Sequence, residues 1–274
     1  MIDLSKIRII LVETGGALNL GSVARVMKNM GLSNLVLVNP QCDRNSDEAQ
    51  HMAVHGKEVL DKAQIVPDLP TALTGCSRAI ATTSEPRSLS TPLEPLRTTL
   101  PWLGETNQPT ALIFGREDRG LSNIELSYAQ KFVAIPAHGD YPSLNLAQAV
   151  AICCYELYQL SLESLSYQDS QDSQDSQYSR SPLSLSPVAS AMISQTPAEK
   201  SLDRTTLVSL DALEMYYQQL ETILLKIGYL YPHTAPAKMI KFRHLFNRVN
   251  LAPEELAMMR GVLSQVEWAV RQKV

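Results

Sequence analysis

Short apolar runs alternate with amphipathic stretches along the first 160 residues. Ile7–Val12 is a continuous apolar run with a single Arg, the pattern of a strand that is buried on both faces. Four further runs predict strands at Asn34–Val38, Ala79–Thr83, Ala111–Phe114 and Phe132–Ile135. Because strands and helices alternate repeatedly, we predict an α/β fold in which helices cover both faces of a mostly parallel sheet.

Capping residues predict where the first helices begin and end. Asn19 is placed to cap the helix after the first strand, and Gly31 to end it at the C′ position. Ser46–Glu48 has the composition of a second helix start. A long helix is predicted over Leu144–Leu160.

The composition changes abruptly after residue 160. Residues 161–202 are rich in Ser, Gln, Asp and Pro and contain a short tandem repeat at 168–176. Too little apolar surface is present there to offset the entropy of ordering, so this segment is predicted to be a flexible linker. The residues before it, 1–160, form the predicted α/β domain.

Residues 203–274 are predicted to form a small all-α module. Leucines recur there at helical spacing, and Gly228, Pro236 and Pro253 mark helix ends. This is also the most basic part of a chain whose formal net charge is −4. Its closest cluster of cations comprises Lys238, Lys241, Arg243 and Arg248. Such a face favours an anionic polymer such as RNA as partner. The alternative is that the module only packs onto a dimer and that its cations are solvated.

Length and composition favour an ordinary globular protein. The 274 residues suffice for one or two domains, and no apolar run is long enough to span a membrane. No signal peptide precedes the first strand, so we expect a cytoplasmic protein. The four cysteines form no Cys-x-x-Cys pair, which favours buried thiols over a metal site or a disulfide.

Several common motifs are absent. Gly16 and Gly21 have the spacing of a phosphate loop, but Ser22 stands where the loop needs Lys. No dinucleotide fingerprint, nucleophile elbow or His-Glu-x-x-His metal motif occurs. His51 and His55 lie four residues apart without an obvious further ligand, so we expect exposed histidines and no bound metal.

Three sequence motifs of unusual composition begin where a predicted apolar strand ends in a loop or helix. They are Asn19–Arg25, Phe114–Leu121 and Ser143–Val150. Ligand sites of α/β proteins lie at these positions. The hydroxyl-rich segment Thr82–Ser84 follows another predicted strand and adds a fourth loop.

Each phrase also has a purely structural interpretation. Arg25, about two turns into its helix, can reach the loop end of the sheet or simply pair with a surface carboxylate. Glu117 is either a ligand-site carboxylate or one half of an ion pair with Arg116 or Arg119. Ser143 can cap the helix that follows it, a role compatible with ligand contact.

In this order and wording, the three phrases resemble the motifs of the SpoU branch of the SPOUT RNA methyltransferases. The likeness is closest to the TrmJ group, through phrases such as Leu11–Thr14, Met30–Leu35 and Phe246–Arg248. The resemblance implies a trefoil knot at the C-terminal end of the α/β domain, with S-adenosylmethionine bound in the knot. It also implies a homodimer whose active site takes residues from both chains.

The resemblance assigns roles residue by residue. The implied catalytic residues are Asn19, Arg25, Glu117, Ser143 and Asn145. The implied cofactor loops contain Thr82, Thr83, Ser84, Gly115, Glu117, Gly120, Leu121, Ile135, Ser143, Leu144 and Asn145. Arg25 acts on the ribose 2′-hydroxyl in this interpretation. Because an ordinary guanidinium is a poor base, a role in holding the ribose and the neighbouring phosphate is physically simpler.

The implied activity is methylation of a ribose 2′-hydroxyl in RNA, with nucleotide 32 of the tRNA anticodon loop as the first choice. Ribosomal RNA or another tRNA ribose is the alternative. A binding module that holds RNA without methylating it, and a small-molecule methyltransferase, are the other classes considered. Since every motif precedes the linker, residues 1–160 alone are expected to dimerise and to bind the cofactor.

Overall fold

A seven-stranded parallel sheet forms the centre of the protein. The computed structural model describes residues 2–84, 92–140, 142–175 and 207–272. The strands are β1 (Ile7–Val12), β2 (Asn34–Val38), β3 (Gln64–Val66), β4 (Arg78–Thr82), β5 (Leu93–Pro95), β6 (Thr110–Phe114) and β7 (Lys131–Ala134). Their order in the sheet is β3-β2-β1-β6-β4-β7-β5, and every pair is parallel. The predicted parallel α/β fold is confirmed.

Two short edge strands were not predicted from the sequence. Both β3 and β5 are three residues long and lack the continuous apolar run that marks the inner strands. The inner strands are longer and almost entirely buried, because helices cover them on both sides. In the centre, Ile9 of β1 lies between Leu35 of β2 and Leu112 of β6.

Ten α-helices are present in the part of the chain that the structure describes. They are α1 (Ala17–Asn29), α2 (Asp47–Ala53), α3 (Lys57–Asp61), α4 (Leu69–Ala72), α5 (Leu96–Thr99), α6 (Asn123–Leu126), α7 (Leu146–Asp175), α8 (Leu210–Lys226), α9 (Ala235–Asn247) and α10 (Pro253–Arg271). The predicted helix starts at Ser46, Pro236 and Pro253 and the predicted end at Gly228 are confirmed.

The predicted cap of α1 is wrong. The helix begins at Ala17 with Gly16 at the N-cap, so Asn19 is its third residue. The side chain of Asn19 is therefore free to make contacts outside its own helix. Gly31 follows the C-cap with φ of +71°, a conformation that glycine adopts without strain, and confirms the predicted end.

Helix α7 begins two residues later than predicted and extends further. The side-chain oxygen of Asn145, not that of Ser143, accepts a hydrogen bond of 2.9 Å from the backbone N–H of Ala147 in the first turn. The helix continues to Asp175, because a helix that is already formed extends at little cost through polar residues. The linker was predicted over residues 161–202; its first part is thus helical, and residues 176–202 lie outside the described residues.

Two apolar clusters cover the two faces of the sheet. One contains Ile9 and Leu112 of the sheet and is covered mainly by α1, α2, α3 and α7. The other contains Ile10 and Ile113 and is covered by α4 and by residues of α8, α9 and α10. The C-terminal helices therefore share a core with the α/β sheet.

Polar contacts fix the C-terminal helices to the sheet. The buried amide of Asn247 donates to the carbonyls of Ser127 (3.0 Å) and Ala129 (3.3 Å), just before β7, and its oxygen accepts from the hydroxyl of Tyr217 at 2.7 Å. The backbone N–H of Leu210 donates to the carbonyl of Cys76 at 2.7 Å. These bonds set the position of α8 and α9.

Arg243 differs from the other members of the predicted basic cluster. Its guanidinium makes two hydrogen bonds with the carboxylate of Glu214, at 2.5 and 2.8 Å, and lies 4.6 Å from the ring of Tyr217 and 4.7 Å from that of Tyr128. Its side chain is largely buried. Arg243 thus serves packing and is not available to an external anion.

Two further observations concern membrane-spanning helices and the exposed histidines. In the described parts of the chain, no helix is long and apolar enough to cross a membrane. His51 and His55 are exposed, as expected, and the same parts hold no group of three His, Cys, Asp or Glu that suits a metal.

Candidate active site

A cleft of about 270 Å³ opens at the carboxyl ends of β4, β6 and β7, beside the first turn of α7. All strands are parallel, so the loops that follow them meet at one edge of the sheet. The predicted residues that line the cleft are Thr82, Thr83, Ser84, Gly115, Glu117, Gly120, Ile135, Ser143 and Leu144. Loops that are distant in sequence, and were proposed to hold one cofactor, are thus brought together.

Two of the predicted cofactor residues do not line this cleft. Leu121 is buried in the apolar cluster that contains Ile10 and Ile113, and this burial holds the end of the loop against the sheet. Asn145 caps α7 at the rim of the cleft. Both are placed to support the loops that line the cleft.

The loop after β6 closes tightly on itself. Gly120 donates from its backbone N–H to the carbonyl of Arg116 at 2.8 Å, and the two residues form an antiparallel bridge. A Cβ at Gly115 would lie 2.2 Å from the carbonyl carbon of Gly120. Only glycine fits at position 115, because the clash is with backbone atoms that cannot rotate away.

Glu117 reaches from this loop to the start of α1. Its carboxylate accepts hydrogen bonds from the backbone N–H groups of Gly15 (3.1 Å) and Gly16 (3.0 Å) and from the side-chain amide of Asn19 (3.1 Å). The alternative of a local ion pair with Arg116 or Arg119 is wrong: these arginines pair with other carboxylates. Glu117 instead places a negative charge at the positive end of the helix dipole.

These bonds keep Glu117 ionised. Partial burial disfavours the charged form of the carboxylate, but the hydrogen bonds from Gly15, Asn19 and Gly16 outweigh that effect, and the pKa of Glu117 is lowered below its ordinary value. The group is therefore a hydrogen-bond acceptor near neutral pH, and not an acid that could supply a proton.

Asn19 joins the first and third motifs. Its side-chain oxygen accepts a hydrogen bond of 2.9 Å from the side-chain amide of Asn145, while its own amide donates to Glu117. Since the oxygen of Asn145 is used by the first turn of α7, each polar atom in this row has a defined partner. One residue from each motif thus takes part in a continuous chain of hydrogen bonds.

A second network beside the cleft was missed by sequence reasoning. The guanidinium of Arg119 bridges Glu13, after β1, at 2.8 Å and Glu125, in α6, at 2.9 Å. Glu13 has φ of +51°, a strained backbone for a residue with a side chain. The hydrogen bonds with Glu125 and Glu13 raise the pKa of Arg119. The left-handed backbone conformation of Glu13 cannot be recognised in the sequence, so this contact could not be predicted.

Arg25, a predicted catalytic residue, lies away from the cleft of its own chain. Its side chain is exposed on α1 and is not part of the cleft lining. The alternative of a surface ion pair is not realised among the described residues, where no carboxylate lies within ion-pair distance of Arg25. A single chain therefore presents Arg25 to the solvent.

The cleft suits an adenosyl group. Apolar contact is offered by Phe114, Ile135, Leu144 and Leu146, while Thr82–Ser84 adds hydroxyl oxygens. Sites for small molecules combine apolar walls with a few polar groups in this way. The close approach of the loop at Gly115 also lets backbone groups face a ligand.

Comparison with known proteins agrees with this geometry. Residues 6–155 match the model of the SpoU rRNA methylase family, and residues 211–274 match that of the TrmJ tRNA methyltransferase C-terminal domain. The tRNA (cytidine/uridine-2′-O-)-methyltransferase TrmJ of Cronobacter sakazakii is 38% identical over 272 residues, which are 98% of this chain and 99% of that protein. TrmJ of Pectobacterium atrosepticum is 38% identical over 266 residues, 96% of this chain and 98% of the relative.

Solved structures give the same result. TrmJ from Zymomonas mobilis superposes with a TM-score of 0.75 at 26% identity and covers 95% of this chain and 98% of its own. A probable methylase family protein from Haemophilus influenzae has a TM-score of 0.57 at 28% identity, over 99% and 100% of the two chains. The cofactor of such methylases is S-adenosylmethionine, which the cleft fits. The chain therefore belongs to the SpoU methylase family, within its TrmJ group of methyltransferases.

Proposed function

We propose that this enzyme methylates the 2′-hydroxyl of a cytidine or uridine ribose in tRNA, at nucleotide 32 of the anticodon loop, in the cytoplasm. The TrmJ relatives that match almost the whole chain are tRNA (cytidine/uridine-2′-O-)-methyltransferases, which supports the nucleotide and the RNA class. The observation that carries the chemistry is the row Asn145–Asn19–Glu117, which ties the three motifs together at the cleft.

The cleft loops hold the adenosyl part of the cofactor in this proposal. Thr82–Ser84, Gly115–Gly120, Ile135 and Ser143–Leu144 surround it. S-adenosylmethionine supplies an electrophilic methyl group when bound. The trefoil knot of this family, formed by the C-terminal part of the α/β domain, is part of this proposal.

A second copy of the chain completes the site. Leu18 and Arg25 lie seven positions apart on one exposed face of α1, and Leu18 is 55% exposed. Ile152 and Tyr155 of α7, which packs against α1, are 36% and 47% exposed. This apolar surface beside the cleft supports a homodimer in which Arg25 reaches the site of the other copy.

Arg25 then acts on the substrate. A guanidinium keeps its positive charge in proteins, so Arg25 donates hydrogen bonds to a ribose oxygen and a phosphate. Its charge is most useful when the 2′-oxygen becomes negative as it attacks the methyl group. Glu117 and Asn19 support this reaction by fixing the start of the helix that carries Arg25.

Site-specific methyl transfer tests the proposal. Labelled S-adenosylmethionine is incubated with the protein and a tRNA transcript, with the same tRNA carrying deoxyribose only at position 32, and with ribosomal RNA. We expect incorporation into the first RNA alone. Incorporation into the deoxyribose-32 tRNA would disprove position 32, and incorporation into ribosomal RNA alone would replace tRNA as the substrate class.

A further inference from the structure

The turn between α8 and α9 displays aromatic side chains to the solvent. Tyr229 is 55% exposed and Tyr231 is 58% exposed, and the ring of His233 stacks on Tyr231 with centroids 6.0 Å apart and planes 22° apart. The ring of Tyr229 packs against Phe242 with centroids 6.4 Å apart, but more than half of each tyrosine remains exposed. A group of exposed aromatic side chains on one turn is typical of a binding surface.

Backbone hydrogen bonds hold this turn. Leu230, between the two tyrosines, is buried, and its backbone N–H donates to the carbonyl of Leu224 at 3.0 Å. The carbonyl of Tyr231 accepts from the N–H groups of Thr234 and Ala235, both at 2.9 Å. The backbone that carries the two tyrosine rings is therefore already ordered, which reduces the entropy lost when a ligand binds.

Cations lie beside these rings. The ammonium of Lys238 lies 5.1 Å from the centroid of the Tyr229 ring and donates to the carbonyl of Tyr229 at 3.3 Å. Lys241 and Arg248 follow Lys238 by three and ten positions, and Arg248 is the C-cap of α9. This spacing places the three cations on one side of the helix. Lys241 and Arg248 are exposed and form no ion pair with a described residue.

The sequence of this region contains no acidic residue, although Lys226 pairs with Glu267 of α10 at 3.9 Å. Between Thr222 and Pro253 the sequence contains Lys226, Lys238, Lys241, Arg243 and Arg248 but no Asp or Glu. Arg243 is neutralised by Glu214 inside the fold. The α8–α9 turn and the exposed face of α9 therefore combine aromatic rings with the charges of Lys238, Lys241 and Arg248, which form no ion pair with a described residue.

We propose that this surface binds unpaired nucleotides of the RNA substrate, with bases stacked on Tyr229 and Tyr231 and phosphates held by Lys241 and Arg248. Sequence-tolerant binding of single-stranded RNA combines aromatic stacking with cationic backbone contacts in this way. This inference rests on the proposed RNA methyltransferase activity, and it assigns a second contact region on the opposite face of the sheet from α1.

Binding of full-length protein to tRNA across a salt series tests the two parts separately. Tyr229→Ala with Tyr231→Ala should weaken tRNA binding by about tenfold or more without changing the salt slope, because stacking releases no counterions. The matched control, Tyr229→Phe with Tyr231→Phe, keeps both rings and should bind within about twofold of wild type. Lys241→Gln with Arg248→Gln should lower the slope by about 0.7 to 0.9 per lost contact.

Three results would overturn the assignment. They are unchanged affinity of the alanine pair, equal losses for the alanine and phenylalanine pairs, or an equal loss toward a fully paired RNA duplex. Each variant is first shown to bind adenosylhomocysteine normally, which excludes misfolding. A wild-type protein that methylates no RNA would instead disprove the proposed function, so the two failures are distinguishable. Trp268→Ala, at a 57% exposed aromatic residue of α10, controls for loss of any surface ring.

Discussion

The side-chain amide of Asn145 donates a 2.9 Å hydrogen bond to the side-chain oxygen of Asn19, across 126 positions of the chain. This bond fixes the first turn of α7 against the first turn of α1. Each asparagine uses its other polar atom elsewhere, in the cap of α7 and on Glu117. The pair therefore couples the cleft to the helix that carries Arg25.

Asn145→Ala is expected to weaken binding of adenosylhomocysteine although Asn145 does not line the cleft. The change removes the cap of α7 and its link to Asn19, so Ser143 and Leu144 lose their fixed position. The lost cap should also lower the free energy of unfolding by about 1 kcal/mol. Titration calorimetry and denaturant unfolding measure both effects. Gln148→Ala, on the same exposed turn, should leave both unchanged.

Gly115→Ala should reduce affinity for adenosylhomocysteine by at least about tenfold, because the new methyl group would lie 2.2 Å from the backbone of Gly120. Relief of such a clash costs about 1 to 3 kcal/mol and shifts the loop. Gly139→Ala is the control, since a Cβ there meets nothing within 4 Å. Equal affinities of the two variants would show that the loop after β6 does not hold the cofactor.

Arg25→Ala should lower turnover by at least about 100-fold while affinity for adenosylhomocysteine stays unchanged. The side chain is exposed and away from the cleft of its own chain, so its loss should not disturb cofactor binding. Lys28→Ala removes a cation from the same helix as a control. Normal turnover in a folded Arg25→Ala dimer would disprove the assignment.

Mixed dimers test whether Arg25 serves the other copy. A heterodimer is prepared from one chain with Arg25→Ala and one chain with Gly115→Ala. If Arg25 acts across the interface, both defects fall in one site and the other site stays intact, so about half of the wild-type turnover is expected. Action within one chain would leave both sites defective and turnover near zero.

Glu117 should stabilise the protein in a pH-dependent way. Its pKa is lower in the folded protein than its ordinary value of 4.5. The stabilisation is therefore present above pH 4.5 and is lost as the pH falls through the folded-state pKa. The difference in unfolding free energy between wild type and Glu117→Gln should shrink over this acidic range and stay constant above it. A constant difference down to pH 3 would contradict the role of the carboxylate charge.

Removal of the C-terminal helices is expected to destabilise the α/β domain. Sequence reasoning predicts that residues 1–160 bind the cofactor alone, but α8 and α9 cover one face of the sheet and share its core. A protein ending at residue 175 should expose that face and associate non-specifically. Addition of residues 207–274 as a separate chain should restore monodisperse behaviour in light scattering. A stable, monodisperse truncated dimer would show that the two parts fold independently.

The inner strands could be predicted from the sequence because burial on both faces leaves a continuous apolar signature. The three-residue edge strands carry no such signature, since only one neighbour holds them. The motif loops could be predicted as a group for a different reason. Parallel strands bring their carboxyl ends to one edge regardless of their order in the chain.

The partners of polar side chains were harder to predict. Glu117 stands between two arginines in sequence, yet its partners lie about 100 positions away at the start of α1. Asn19 has the residue type of a helix cap, but Glu117 supplies the cap contacts instead. Arg243 belongs to the basic cluster in the sequence, but in the fold its charge is neutralised by an ion pair with Glu214. Each outcome depends on tertiary contacts that local propensity does not encode.

The two three-residue edge strands have a consequence for how copies of this protein meet. An open sheet edge is a template for another strand, and long edges promote uncontrolled polymerisation. Here β3 and β5 expose few unpaired backbone groups, and β5 ends in Pro95, which has no N–H to donate. Continuous strand-to-strand growth is therefore blocked at both margins. The proposed homodimer uses helical surfaces instead, and an interface in which both copies use the same surface closes after one partner.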